Sequence, residues 1–361
     1  MAKRKALFMI CLLTVAFGLT ALVAVFAEKG EATDGLLCVT SFYPVQLLAE
    51  SVAEGAEGVT VRNLTENHSG CIHDYTLTTQ DMRLLSEAEL FLINGGEMEL
   101  FLEKAAAEYE DLEIVDTSEG YGFLEGVEHN HDHGNEAEHA SESCTDPAHD
   151  HTAEVHEDED ACTDPAHHHD EAERDADAHA DHSHAINAHI WMDIDGYLLQ
   201  LSRVEEAFVK ADPAQEDLYR KNAEACRAEL ENMKAEYEQA REALEGKETV
   251  VFHEGFVYLL NMLGIESVHC LAMDSDTQLA AGEAAEIMEE CKLHGITTLF
   301  AEEAYAGSLN DTFGKELSAE VVVLDPITGY SGINTGKTGV SLYCEIMREN
   351  LECIGQAYGV R

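Results

Sequence analysis

The chain has 361 residues, with 72 Asp and Glu against 21 Lys and Arg, a formal net charge of −51. That balance excludes nucleic acid and anionic membrane surfaces as partners and favours cations. The length accommodates two domains of ordinary size.

Residues 1–27, "MAKRKALFMICLLTVAFGLTALVAVFA", have a basic start, a long apolar run, and Val25 and Ala27 at the spacing a signal peptidase reads. They predict a signal peptide cut after Ala27, with an uncleaved anchor as the alternative because the run approaches the ~20 residues that span a bilayer. Either way the expected location is extracytoplasmic, periplasmic or at the cell surface. Cys11, inside the run, does not resemble a lipid-attachment site. Removing the signal leaves nine cysteines, an odd count that implies at least one unpaired or intermolecular thiol. Cys38 could pair with Cys71, as could two of Cys226, Cys270, Cys291, Cys344 and Cys353; several buried free thiols is the equal alternative.

From residue 36 the chain alternates strand-like and helix-like segments. Strands are predicted at 36–42, 59–65, 90–96 and 112–118, and helices at 44–53, 78–89 and 97–109. After residue 249 the rhythm repeats, with strands at 249–255, 266–273, 297–303 and 320–326 and a closing amphipathic helix at 341–358. Alternation of this kind implies parallel sheets covered by helices, an α/β fold in two lobes. Between them, 213–248 has no Gly or Pro from Ala214 to Leu244 and an apolar residue near every helical turn. It predicts one rigid helix of ~45 Å at ~1.5 Å per residue, joining the lobes. The expected layout is an N-terminal lobe over 36–212, the linking helix over 213–248 and a C-terminal lobe over 249–361.

Residues 122–188 interrupt the pattern. They are acidic, rich in histidine and poor in large apolar side chains, and they nearly repeat "CTDPAHDH" as "CTDPAHHH". Such a segment cannot bury enough surface to offset its ordering entropy, so it predicts a disordered loop within the first lobe. It carries 13 of the 19 histidines. His129, His131, His133, His149, His151, His167, His168, His169, His182 and His184 are candidate auxiliary metal ligands, with capture, buffering or hand-off as the expected role. A soluble insert with no such role is the plain alternative.

Three other histidines stand in structured contexts: His73 in "HDYTLTTQDM", His189 in "NAHIWMD" and His253 in "VVFHEGFVYLLNMLGI". His253 and Asp325, in "LDPITG", each end a predicted strand, and His73 follows one by a short loop. Ligands of open parallel sheets bind outside the carboxyl ends of the strands, so these residues would face a common cleft. Asp74 and Glu254, beside two of the histidines, and Glu302, at another strand end, are further carboxylates that could stand behind the ligands and orient an imidazole.

These four motifs, in this order, resemble those of the cluster A-I solute-binding proteins that deliver zinc or manganese to bacterial ABC importers. The resemblance runs from about residue 36 to the end. It implies two α/β lobes, a rigid helix, a monomer, a permease of the cytoplasmic membrane as partner, and a metal held by His73, His189 and His253 with Asp325 or water. It also implies a histidine-rich loop in the zinc branch. The manganese branch carries Glu where this chain has His253, and three imidazoles suit tetrahedral Zn²⁺ better than Mn²⁺. Zn²⁺ is therefore the expected cargo, with a manganese-delivering homologue or a zinc buffer without a transporter as alternatives. An enzyme is not expected: "HEGFV" has Val257 where a zinc-protease helix needs a second histidine.

Overall fold

Short apolar runs become parallel strands twice over. The computed structural model describes residues 35–66, 68, 70–73, 75–101, 109, 112–126, 186–273, 279–329 and 336–360. The expected signal peptide, Asp74 and the ten candidate loop histidines lie outside these residues, as does most of the predicted helix at 97–109. In the first half, β1 (Leu37–Thr40), β2 (Thr60–Asn63), β3 (Leu90–Ile93) and β4 (Glu113–Asp116) form a parallel sheet in the order β2-β1-β3-β4. β3, "LFLI", is buried along its whole length, as a strand covered on both faces must be. Helix α1 (Tyr43–Val52) follows β1, and α2 (Thr79–Glu87) follows β2.

In the second half, β7 (Glu248–Val251), β8 (Glu266–Cys270), β9 (Thr298–Ala301) and β10 (Glu320–Val323) repeat the topology in the order β8-β7-β9-β10. Each sheet therefore reverses direction beside its first strand, which creates a crevice at the carboxyl ends of β1 and β3 and another at those of β7 and β9.

The helices between the sheets form the shared core. α3 (Ile194–Ala211) ends at Asp212, and a 3₁₀ turn over Pro213–Gln215 leads into α4 (Glu216–Leu244). The Asp212 carboxylate accepts bonds from Gln215 Nε2 (2.6 Å) and Tyr219 Oη (2.8 Å), which fix the turn. α4 then runs antiparallel to α3: Glu205 pairs with Arg220 and Arg227, and Asp195 pairs with Lys234. The long helix expected as a connector is thus also a packed layer, with Tyr219, Ala223, Leu230, Met233 and Tyr237 buried. A short α7 (Glu303–Leu309) follows β9, and α8 (Gly339–Ala357), the last helix, packs on α1 and α4. Its Tyr343 stacks on Tyr197 of α3 with ring centroids 3.9 Å apart.

The second sheet divides its two faces by the two-residue period of a strand. Val251 and Phe300 point into the shared core, whereas Val250, Phe252, Leu299 and Ala301 join a separate cluster with Ile287 and Cys291 of α6 (Ala281–His294) and with Phe313.

Two departures from the sequence reading concern the inserted segment and the cysteines. Its ends are structured: β5 (Leu124–Glu125) and β6 (Ile186–Asn187) pair antiparallel, because Leu124 N–H donates to Tyr258 Oη (3.0 Å) and Tyr258 Oη donates to Asn187 O (2.8 Å). The expected disordered loop of 122–188 is therefore bracketed by an ordered ladder. Cys38 stands as a free thiol inside β1, as do Cys226, Cys270, Cys291, Cys344 and Cys353 elsewhere, so the pairing of Cys38 with Cys71 does not form.

Candidate metal centre

Three chain segments converge at the carboxyl ends of the sheets. The first is the loop from β2 to α2. Thr78 and Asp81 form a capping box, with Thr78 N–H donating to Asp81 Oδ2 (2.7 Å) and Asp81 N–H donating to Thr78 Oγ1 (3.3 Å). The same Oδ2 accepts from Tyr75 Oη (2.8 Å), and His68 Nε2 donates to the carbonyl of Cys71 (3.0 Å). Ile72 is buried in the core, anchoring the loop between Cys71 and His73. This is the local reason for "HDYTLTTQDM": its Asp, Thr and Tyr knot the loop that carries the histidine.

The second segment is "NAHIWMD". Asn94 Nδ2 donates to Ala188 O (2.9 Å), while Gln200 Nε2 donates to Asn94 Oδ1 (3.0 Å). Trp191 Nε1 donates to Pro326 O (2.8 Å), and Tyr343 Oη donates to Trp191 O (2.7 Å). His189 is thus held between the two halves, and only 3% of it is exposed. Its Nδ1 lies 2.8 Å from Asn187 Oδ1. That amide is oriented twice over, since Oδ1 also accepts the His189 backbone N–H and Nδ2 donates to Glu254 O (2.9 Å). The proton of the neutral ring therefore sits on Nδ1, and the Nε2 lone pair faces the cleft.

The third segment follows β7. His253 is 5% exposed, and burial pushes its pKa down to about 4, so the ring is neutral across the physiological range. Gly255 N–H donates to its Nδ1 (3.0 Å), which leaves its proton on Nε2. A Cβ at Gly255 would lie 3.0 Å from the His253 ring and 3.2 Å from His189 Cδ2, so glycine is what lets the two imidazoles approach.

The rings of His189 and His253 stand 4.7 Å apart between centroids, and those of His73 and His189 stand 5.6 Å apart. Cys71 lies among them: its Sγ is 3.1 Å from His189 Nε2 and 3.2 Å from His253 Nε2. Donor atoms of Cys71, His73 and His189 all fall within 4.8 Å of one another. Glu302, just past β9, brings Oε1 to 3.5 Å from His253 Nε2. Asp325 lies two residues past the end of β10, and its Oδ1 accepts the Ile327 N–H (2.7 Å). The Glu254 carbonyl serves Asn187, and its carboxylate is close enough to Tyr258 to add to the effect of burial, which pushes that phenol up to about 12.

The three histidines were marked by their motifs, whereas Cys71 stood in the sequence as a disulfide partner or a free thiol. The signal was "CIH": a thiol and an imidazole two residues apart on one loop, a spacing at which both can reach one point. Glu302 was legible as a strand end, though not its closeness to His253.

The family profile described as "ZnuA: Zinc-uptake complex component A periplasmic" matches residues 38–357. The chain is similar to the high-affinity zinc uptake system protein ZnuA of Bacillus subtilis (strain 168), 25% identical over 334 residues that cover 91% of this chain and 90% of that one. It is also similar to the zinc-binding lipoprotein AdcA of Streptococcus pneumoniae (strain R6), 23% identical over 94% of this chain but spanning only 59% of that longer protein. Among solved structures, the metal-dependent lipoprotein YcdH from Bacillus subtilis superposes with a TM-score of 0.65 at 21% identity, covering 89% of this chain and 99% of that one. Zn(II)-bound AdcA from Streptococcus pneumoniae gives 0.65 at 19% identity, covering 90% and 58%. These two structures share the fold.

Proposed function

This chain belongs to the periplasmic zinc-uptake complex component A family, and from that premise we propose that it captures Zn²⁺ outside the cytoplasmic membrane and delivers it to the permease of an ABC importer. It acts as a carrier rather than a catalyst. His73, His189 and His253 bind through ring nitrogens, and a carboxylate, Asp325 or Glu302, offsets the charge of the cation. The observation that carries this reading is the approach of His189 and His253 in a buried cleft, 4.7 Å between ring centroids, with His73 beside them. Imidazoles at bonds of about 2.0–2.1 Å suit Zn²⁺, and Mn²⁺ favours oxygen-rich sites.

His189 supports metal directly, because Asn187 holds its proton on the far nitrogen. His253 binds at Nε2 in its other tautomer, with the proton moved to Nδ1 and the bond from Gly255 N–H given up, and Glu302 Oε1, 3.5 Å from Nε2, lies close enough to take the proton off that nitrogen during the exchange. Uptake competes with protons for the imidazole nitrogens. The histidine-rich loop, outside the described residues, serves in this reading as a tethered reservoir that raises the local zinc concentration.

Metal analysis and calorimetry of the purified mature chain test the proposal. We expect one tight Zn²⁺ per chain, lost in His253→Ala, and additional weak equivalents that disappear when residues 128–184 are deleted. Tight binding of Mn²⁺ in preference to Zn²⁺, or no tight zinc at all, would refute it.

A further inference from the structure

We infer that Cys71 is itself a metal ligand, a thiolate that shares one cation with His189, His253 and His73. This inference rests on the zinc-carrier reading and specifies its ligand set. Three observations carry it. First, Cys71 Sγ approaches both imidazole nitrogens, at 3.1 Å from His189 Nε2 and 3.2 Å from His253 Nε2. A tetrahedral Zn²⁺ with bonds of about 2.3 Å to sulfur and about 2.05 Å to nitrogen separates those donors by about 3.5 Å, so a shift of a few tenths of an ångström makes room. Second, the donor atoms of Cys71, His73 and His189 already converge within 4.8 Å. Third, the loop is anchored between Cys71 and His73 by the buried Ile72, and the Cys71 carbonyl is held by His68. The thiol is therefore presented to the cleft by a fixed backbone.

The chemistry balances without any change of oxidation state. Without metal, the thiol donates to His189 Nε2, whose own proton is on Nδ1. On binding, the S–H bond breaks, the proton leaves to water, and a metal–sulfur bond forms along with the metal–nitrogen bond to the same Nε2. Asp325, with Oδ1 engaged by the Ile327 N–H, then supports its own loop. A thiolate also alters selectivity: it favours soft and borderline cations and disfavours Mn²⁺.

The experiment uses the full mature chain in a Cys144→Ser/Cys162→Ser background, so that thiols of the histidine-rich segment cannot contribute, and compares it with the same chain carrying Cys71→Ser. Serine keeps the size and hydrogen bonding of cysteine but is a poor ligand. Titration with Co²⁺ should give a thiolate-to-metal charge-transfer band that saturates at one equivalent. In Cys71→Ser the band should vanish while the d–d bands of nitrogen-bound Co²⁺ persist. Zn²⁺ affinity should fall by at least about 100-fold, beyond the about 10–100-fold that partners behind a ligand cost, and Cd²⁺ affinity should fall further than that for Zn²⁺. One bound Co²⁺ without a charge-transfer band, or a band unchanged in Cys71→Ser, would overturn the inference and leave the carrier reading standing. Absence of any tight site in both chains would overturn the carrier reading and the inference together.

Discussion

The two halves of the molecule have the same sheet and use it differently. Both order their strands 2-1-3-4 by position within the half, and both spend the carboxyl ends on the cleft. The first half supplies Cys71 and His73 from a loop knotted by a capping box, and His189 from a segment pinned by Trp191 and Asn94. The second half supplies His253 and Glu302 within two residues of strand ends. Repetition of a topology thus provides two crevices, but what fills them depends on side chains the repeat does not dictate. The shared core of α1, α3, α4, α5 (Gly255–Met262) and α8 unites both halves, so the cleft is a seam within one packed body.

If the halves contribute equally, removing one imidazole from either should be equally harmful. Zinc sites of about 10–16 kcal/mol shared over four ligands give about 3–4 kcal/mol each, on the order of 10²–10³-fold. We expect His189→Ala and His253→Ala to lose zinc affinity to that extent by competition titration. A loss confined to one of them would break the comparison.

The halves should differ in their response to acid. Burial holds His253 at about 4 against an ordinary 6.5, so its stabilising effect is complete above pH 6.5 and is lost as pH falls through 4. In the first half, burial pushes Glu99 up to about 7 from an ordinary 4.5, although its carboxylate accepts the N–H groups of Asn94 (2.7 Å) and Gly95 (3.0 Å). Its effect has the opposite sign: complete below pH 4.5 and lost as pH rises through 7. Each shift spans about 2.5 pH units, on the order of 3 kcal/mol, and between pH 4.5 and 6.5 the two slopes cancel. Denaturant titrations of the metal-free chain should show Glu99→Gln gaining stability with pH across that window more steeply than the wild type. Identical slopes would show that Glu99 does not titrate as its burial demands.

Asn187 sharpens the comparison because it links the halves, orienting His189 with one atom and holding Glu254 O with another. Asn187→Ala should weaken zinc by about 10–100-fold and lower the stability of the metal-free chain by about 1–3 kcal/mol, because Glu254 O and the His189 N–H lose a buried partner. Lys234→Ala, by contrast, removes an exposed pair with Asp195. It should change stability by less than about 1 kcal/mol and leave zinc affinity intact.

Much of this was legible. Continuous apolar runs such as "LFLI" announced buried parallel strands, and the Gly-free, Pro-free stretch announced α4. Other features depended on contacts that no local pattern encodes. The antiparallel fold of α4 on α3 rests on a turn set by Asp212, Gln215 and Tyr219. The two-residue ladder of β5 and β6 is too short for periodicity to reveal and exists because Tyr258 bridges it. At the site, His189 and His253 were marked by their motifs, whereas Cys71 gained its significance only when it met rings 118 and 182 residues away.

The bolt formed by Trp191 has one last consequence. With its indole tied to Pro326 and its carbonyl to Tyr343, a wide swing of the segment that carries His189 would have to break both hydrogen bonds. With the proposed ligand set, cargo would instead be peeled away, beginning with Cys71 and His73 on the half-buried rim and ending with the deeply seated His189 and His253. In that reading departure runs in a fixed sequence, and the receiver of the ion would engage the rim before the floor.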